Sequence, residues 1–129
     1  MSSSVSGSVR FWLRLEGLAA FALAVLLYAR LGAGWGRFAA LVLVPDLSFA
    51  AYLVGPRAGA AAYNTMHSYL GPLALAAAAF AGLLAPSLLP LAFIWMAHVG
   101  ADRALGYGLK YPSAFGDTHL GRVGRAQAR

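Results

Sequence analysis

From Ala58 to Ala101 the chain carries no aspartate, glutamate, lysine or arginine. A soluble domain, in which roughly a quarter of residues are charged, does not ordinarily leave 44 consecutive positions without a formal charge. A lipid bilayer demands such a stretch, because each spanning helix needs about 20 predominantly apolar residues. The interval is long enough for two such helices and a turn. Two further apolar segments precede it, at about 11–31 and 38–54, so the sequence predicts an all-α bundle of four transmembrane helices. Whole-chain composition agrees, with 60% hydrophobic residues against 11% charged.

The boundaries follow from glycine and proline. Residues 1–8, MSSSVSGS, form a small polar leader expected to be disordered. The first helix ends at the glycine-rich LGAGWG, and the second ends at Gly55-Pro56, where the ring removes a donor and restricts the residue before it. A third helix is expected over about 58–84 with a bend at Pro72. APSLLP makes the next turn, and the fourth helix covers about 88–107. The bundle thus occupies 9–108, and 109–129 is a polar, basic tail that either stays solvated or folds back over the bundle mouth with Phe115 and Leu120 as apolar plugs. Ala22-Leu23-Ala24 resembles a signal-peptide cleavage site but lies within the first apolar segment, which is retained as a helix.

Four spans place both termini and the second turn on one side. That side collects Arg10, Arg14, Arg57, Arg103, Lys110, Arg122, Arg125 and Arg129, and the other only Arg30 and Arg37. Lysine and arginine are retained on cytoplasmic flanks, so both termini are expected in the cytoplasm and the protein in the inner (plasma) membrane as a multi-pass chain. The net charge of +6 is then explained by flanks facing anionic lipid, with no nucleic-acid partner required. The bilayer is the expected partner, and a second copy of the chain is a candidate one. The absence of cysteine excludes disulfides and thiolate metal sites.

Every expected span nevertheless contains polar residues: Glu16 in the first, Asp46 in the second, Tyr63, Asn64 and His67 in the third, His98 and Asp102 in the fourth. At about 1.5 Å of rise per residue, the ionisable ones and Asn64 all lie about 8–14 Å from the cytoplasmic helix ends. Tyr63 and His67 are spaced i,i+4, as are His98 and Asp102, so each pair projects from one helical face. Such groups are costly in hydrocarbon and turn inward to meet one another. Imidazole and carboxylate are the ligand types of zinc, iron and manganese sites. The candidate metal ligands are His67, His98, Asp102 and, from the tail, His119. Asp46 and Glu16 are the candidate catalytic carboxylates, and Tyr63 and Asn64 the candidate cofactor-binding residues.

Simpler readings compete at each position. His67 and His98 can form a hydrogen-bonded pair that locks two helices; Asp46, after Pro45, can cap a structural kink; Glu16 can snorkel to the interface. Asp102 can be solvated, Tyr63 can be packing, and His119 can belong to a linker. The function classes in play are a metal-dependent, hydrolytic membrane enzyme, a proton, cation or small-ligand binding or transport protein, a haem protein with His67 and His98 as axial ligands, and a purely structural bundle. The transport reading lacks comparable polar residues in the outer helix halves, and the carboxylates around the histidines disfavour an apolar porphyrin slot.

RLEG (Arg14 to Gly17), Pro45-Asp46, YNTMHSYLGP (Tyr63 to Pro72), IWMAHVGADRALGYGLKY (Ile94 to Tyr111) and FGDTHLG (Phe115 to Gly121) together resemble the bacterial membrane family called domain of unknown function 4260. The resemblance covers nearly all of the chain after the leader. It implies a small four-helix integral membrane protein and brings no activity with it. Similarity to membrane-bound metal-dependent hydrolases is limited to the Pro-Asp pair and scattered histidines, without their histidine-rich signature.

Overall fold

The computed structural model describes residues 5–112 and 116–122. Five α-helices make up its body: α1 (Gly7–Leu31), α2 (Trp35–Leu41), α3 (Pro56–His67), α4 (Leu70–Phe80) and α5 (Leu89–Leu105). A 3-10 segment, Val44–Leu53, follows α2, and a short 3-10 turn, Pro86–Leu88, leads into α5. In the tail, β1 (Asp117–Thr118) and β2 (Gly121–Arg122) form a two-residue antiparallel ladder.

Among the described residues, three stretches are long and apolar enough to cross a bilayer: Gly7–Leu31, Trp35–Leu53 and Pro86–Leu105. The expected third helix, a single bent span over 58–84, is instead two helices of 12 and 11 residues separated at Ser68, whose backbone is extended at φ −97°, ψ 160°. The position of the break follows from Pro72. A proline lacks the N–H that would bond the carbonyl four residues back, and its ring clashes there. That carbonyl belongs to Ser68, so the chain leaves the helix at this residue. Pro72 then sits in the first turn of α4, where a missing donor costs nothing. The carbonyls released by the break find partners on α5: the Trp95 indole donates to Met66 O (2.6 Å) and the Arg103 guanidinium to His67 O (3.2 Å).

Helix α1 begins at Gly7, inside the stretch expected to be leader, and Val5 N–H donates to His119 O (2.9 Å); residues 1–4 lie outside the described residues. Small residues bring α1 and α5 into close contact. Gly17 faces Arg103 and Ala104, Gly100 faces the backbone of Phe21, and Ala24 and Ala97 are fully buried in the core between them. Helices that pack in lipid meet through small residues in the same way, with close backbone approach in place of a hydrophobic driving force. Outward, large apolar side chains are bare: Leu53 is 92% exposed, Phe80 85% and Leu83 80%. Apolar exposure on this scale suits a lipid environment.

The tail folds back. Asn64 on α3 holds Lys110 by two reciprocal bonds, its amide donating to Lys110 O (2.8 Å) and accepting from Lys110 N–H (2.7 Å). Leu120 is fully buried, and Arg10 on α1 donates to its carbonyl. Phe115, the other expected plug, lies outside the described residues. Asn64→Ala is expected to release the tail, since two bonds worth about 1 kcal/mol each are lost and a buried backbone group is left unpaired. Limited proteolysis of purified protein should then cut after Tyr107 much faster than in wild type.

His119 closes the same contact. Its Nδ1 accepts from Leu109 N–H (2.9 Å), and the His119 backbone N–H donates to Leu109 O (3.0 Å). Burial, and then the nearby Arg103 charge, hold the imidazole below its ordinary pKa. A neutral ring is therefore required in the docked tail, while the undocked tail binds a proton near pH 6.5. Docking is fully favourable above that value and weakens as pH falls through it. The protection factor of the Leu109 amide, its exchange rate taken relative to the intrinsic rate at each pH, is expected to fall below about pH 6.5 in wild type and to lose this pH dependence in His119→Asn.

Candidate metal centre

Two irregularities of the backbone build the site. In the first, Pro45 ends regular helix, and Asp46 N–H turns to Leu43 O (3.0 Å) in 3-10 fashion. A continuous α-helix would have paired that N–H with Val42 O. The freed Val42 carbonyl instead accepts from His98 Nδ1 (2.6 Å) on α5. The ten-residue 3-10 run that follows is unusually long for this geometry, and such stretches tend to mark functional positions. It carries Asp46. In the second, the break at Ser68 leaves His67 as the last residue of α3, with its Nδ1 bonded to Tyr63 O (2.9 Å) and its ring stacked on that of Tyr63 at 3.8 Å and 7°.

Those two carbonyls decide where the imidazole protons lie. A carbonyl only accepts, so Nδ1 carries the hydrogen in both rings, and Nε2 of each neutral ring is a lone-pair acceptor. The two Nε2 atoms face each other at 3.1 Å. Asp46 Oδ1 is 3.0 Å from His67 Nε2 and 3.1 Å from His98 Nε2; Asp102 Oδ2 is 3.5 and 3.3 Å from the same atoms. Among the described residues these four side chains offer one ligand atom each, all within 4.8 Å of one another. Four acceptors converging with no donor among them is an unfavourable arrangement unless a positive charge sits at the centre.

The depth of the donors is graded. The side chains of His67 and His98 are 2% and 5% exposed, Asp102 22% and Asp46 38%. Asp46 therefore stands at the mouth and the histidines at the floor.

The remaining expected residues fall elsewhere. Glu16 is exposed on α1, His119 is bound within the tail, and both ends of the Asn64 amide are engaged with Lys110. Tyr63 is buried and backs the His67 ring, and the Lys110 ammonium lies 4.7 Å from the Tyr63 ring centroid. Sequence reasoning did not single out Val42, Trp95 and Arg103, which serve the site through carbonyl bonds. The useful signal lay in Pro45 and Pro72, since each marks carbonyls upstream that need a partner from another element.

Searches of the curated proteins and of the solved structures found no match to this chain. The family described as Domain of unknown function (DUF4260) matches over residues 10–123, a span that holds all four donors, and the chain belongs to that family.

Proposed function

We propose that the protein is an integral membrane metalloprotein of the plasma membrane, with both termini cytoplasmic, whose Asp46, His67, His98 and Asp102 hold one divalent cation used in hydrolysis. The observation that carries this reading is the convergence of two imidazole lone pairs, each 3.0–3.5 Å from two carboxylate oxygens and 3.1 Å from the other, with all four atoms within 4.8 Å. Ligands about 2.0–2.1 Å from a tetrahedral zinc ion are separated from one another by about 3.3 Å. The second shell fits too, because ligating histidines characteristically donate their other N–H to a carbonyl or carboxylate, as His67 and His98 do to Tyr63 and Val42. Iron and manganese accept the same donors.

A closed set of four protein ligands is typical of structural sites, whereas catalytic sites keep three and leave a position for water. The exposure gradient favours the catalytic arrangement. His67, His98 and Asp102 are the holding set, and Asp46, the most exposed, is the donor that yields to water or substrate and takes up the proton. When bound, the cation supplies Lewis acidity and lowers the pKa of water.

Elemental analysis of the detergent-purified full-length chain tests this directly. About one zinc, iron or manganese ion per chain is expected, with the ion lost in His67→Ala. A folded wild type that contains no metal and whose thermal stability is unmoved by added zinc, iron or manganese overturns the reading.

A further inference from the structure

A cavity of about 290 Å³ is lined by chain neighbours of the four ligand residues, though by none of the four themselves. Its walls include Val44, Pro45, Met66, Leu75, Ile94 and Trp95, all of them apolar. Three wall positions are tied to donors by the covalent chain. Pro45 precedes Asp46, Met66 precedes His67, and Ile94 lies four residues, about 6 Å, before His98 on the same face of α5. The cavity thus lies beside the ligand residues: three of the elements that wall it also carry them, and α4 adds Leu75.

Its polarity decides what fills it. Water is retained in a cavity that offers two to four polar partners, and these walls offer almost none: the Trp95 N–H is already donated to Met66 O. The elements around it are apolar outside as well, so in the membrane setting proposed above the surrounding solvent is hydrocarbon rather than water. An apolar cleft whose walls are next in the chain to a polar group suits a molecule with the same division, an alkyl chain carrying a polar head. Its volume, near the lower end of the about 300–1,000 Å³ of small-molecule sites, fits one chain segment rather than two.

We propose that this cavity is the acyl-chain subsite of the centre, and that the substrate class is a lipid acyl ester entering from the bilayer. The proposal rests on the metal-centre reading for the chemistry at its head. The chain occupies the space between Leu75 and Trp95, and the ester carbonyl stands at the Asp46 end. In the reaction, the oxygen of one water bonds to the carbonyl carbon and the carbon–oxygen bond to the alcohol breaks. Asp46 accepts the water's proton and passes it to the departing alkoxide, giving a fatty acid and a free alcohol with no redox change.

The test uses the full chain carrying Trp12→Phe and Trp35→Phe, which leaves Trp95 as its one indole, in bilayer discs of unlabelled lipid. A fatty-acid methyl ester brominated along its chain is the quenching probe. Saturable quenching of Trp95 fluorescence is expected, reversed by the unbrominated ester. Leu75→Phe, which narrows the cavity from an element that bears no donor, is expected to raise the half-saturating concentration about tenfold, whereas Phe80→Leu on the lipid-facing surface leaves it unchanged. Metal content is measured on the same samples. Bound metal with quenching that is non-saturable, or indifferent to Leu75→Phe, overturns the subsite while the metal centre stands. Saturable, Leu75-dependent quenching in protein that binds no metal supports the subsite and removes the hydrolytic centre from beside it.

Discussion

Gly100→Ala is expected to separate α1 from α5. A Cβ at position 100 would stand 2.6 Å from Phe21 N, 2.8 Å from Gly17 O and 3.0 Å from Phe21 Cα. All three are backbone atoms, so relief requires a whole helix to move rather than one rotamer. Overpacking a filled core typically costs 1–3 kcal/mol, and a backbone-to-backbone clash belongs at the upper end, about 3 kcal/mol. Gly36→Ala provides the contrast. A Cβ there meets nothing within 4 Å, and the residue lies in α2. Replacing a helical glycine by alanine in open space is stabilising by up to about 1 kcal/mol. Denaturant unfolding in mild detergent should show the two substitutions moving in opposite directions. Equal, small effects would mean that the α1–α5 contact is not as close as described. Because Gly100 lies between His98 and Asp102, the same substitution should also reduce metal retention without removing a ligand.

The parts of this arrangement that were legible in the sequence are those governed by simple periodicity. The i,i+4 spacing of His98 and Asp102 and the common depth of Asp46 and His67 were enough to place four donors in one layer. The parts that were not legible depend on what the backbone does when a helix is interrupted. A 3.6-residue wheel turns Asn64 and His67 toward one face, yet the Asn64 amide bonds the backbone C=O and N–H of Lys110 in the tail. That long-range contact leaves no local trace. Pro72 suggested a bend at its own position, whereas its effect falls four residues earlier at Ser68 and is a full break, because the missing N–H is felt by the carbonyl upstream. The same displacement applies at Pro45, where the second span becomes a 3-10 run. Glu16 shared the depth of the donors but not their azimuth, and depth alone does not distinguish an inward carboxylate from an exposed one. His119 was a plausible ligand by type, but the tail hairpin orients its Nδ1 toward Leu109.

Asp102→Asn is expected to change sign with the metal. With metal present, the substitution replaces an anionic ligand by a neutral amide oxygen, and affinity should fall by about 100-fold or more, beyond the 10–100-fold typical of second-shell changes. Since a ligand that binds only the folded state stabilises it by mass action, the loaded variant should unfold at a lower temperature than loaded wild type. With metal removed by a chelator, the balance inverts. Wild type then holds two Nε2 lone pairs and two carboxylates together, whereas the side-chain amide of the variant brings an N–H donor within reach of His98 Nε2 and His67 Nε2, which lie 3.3 and 3.5 Å from the present carboxylate oxygen. One hydrogen bond gained and one like-charge contact relieved amount to about 1 kcal/mol in favour of the variant. Thermal unfolding of both proteins, each with saturating zinc and with chelator, measures all four states. A destabilisation of the same size in both conditions would contradict a cation-centred quartet. It would mean instead that the donors are held by protons, as an imidazolium–carboxylate lock whose strength does not depend on metal.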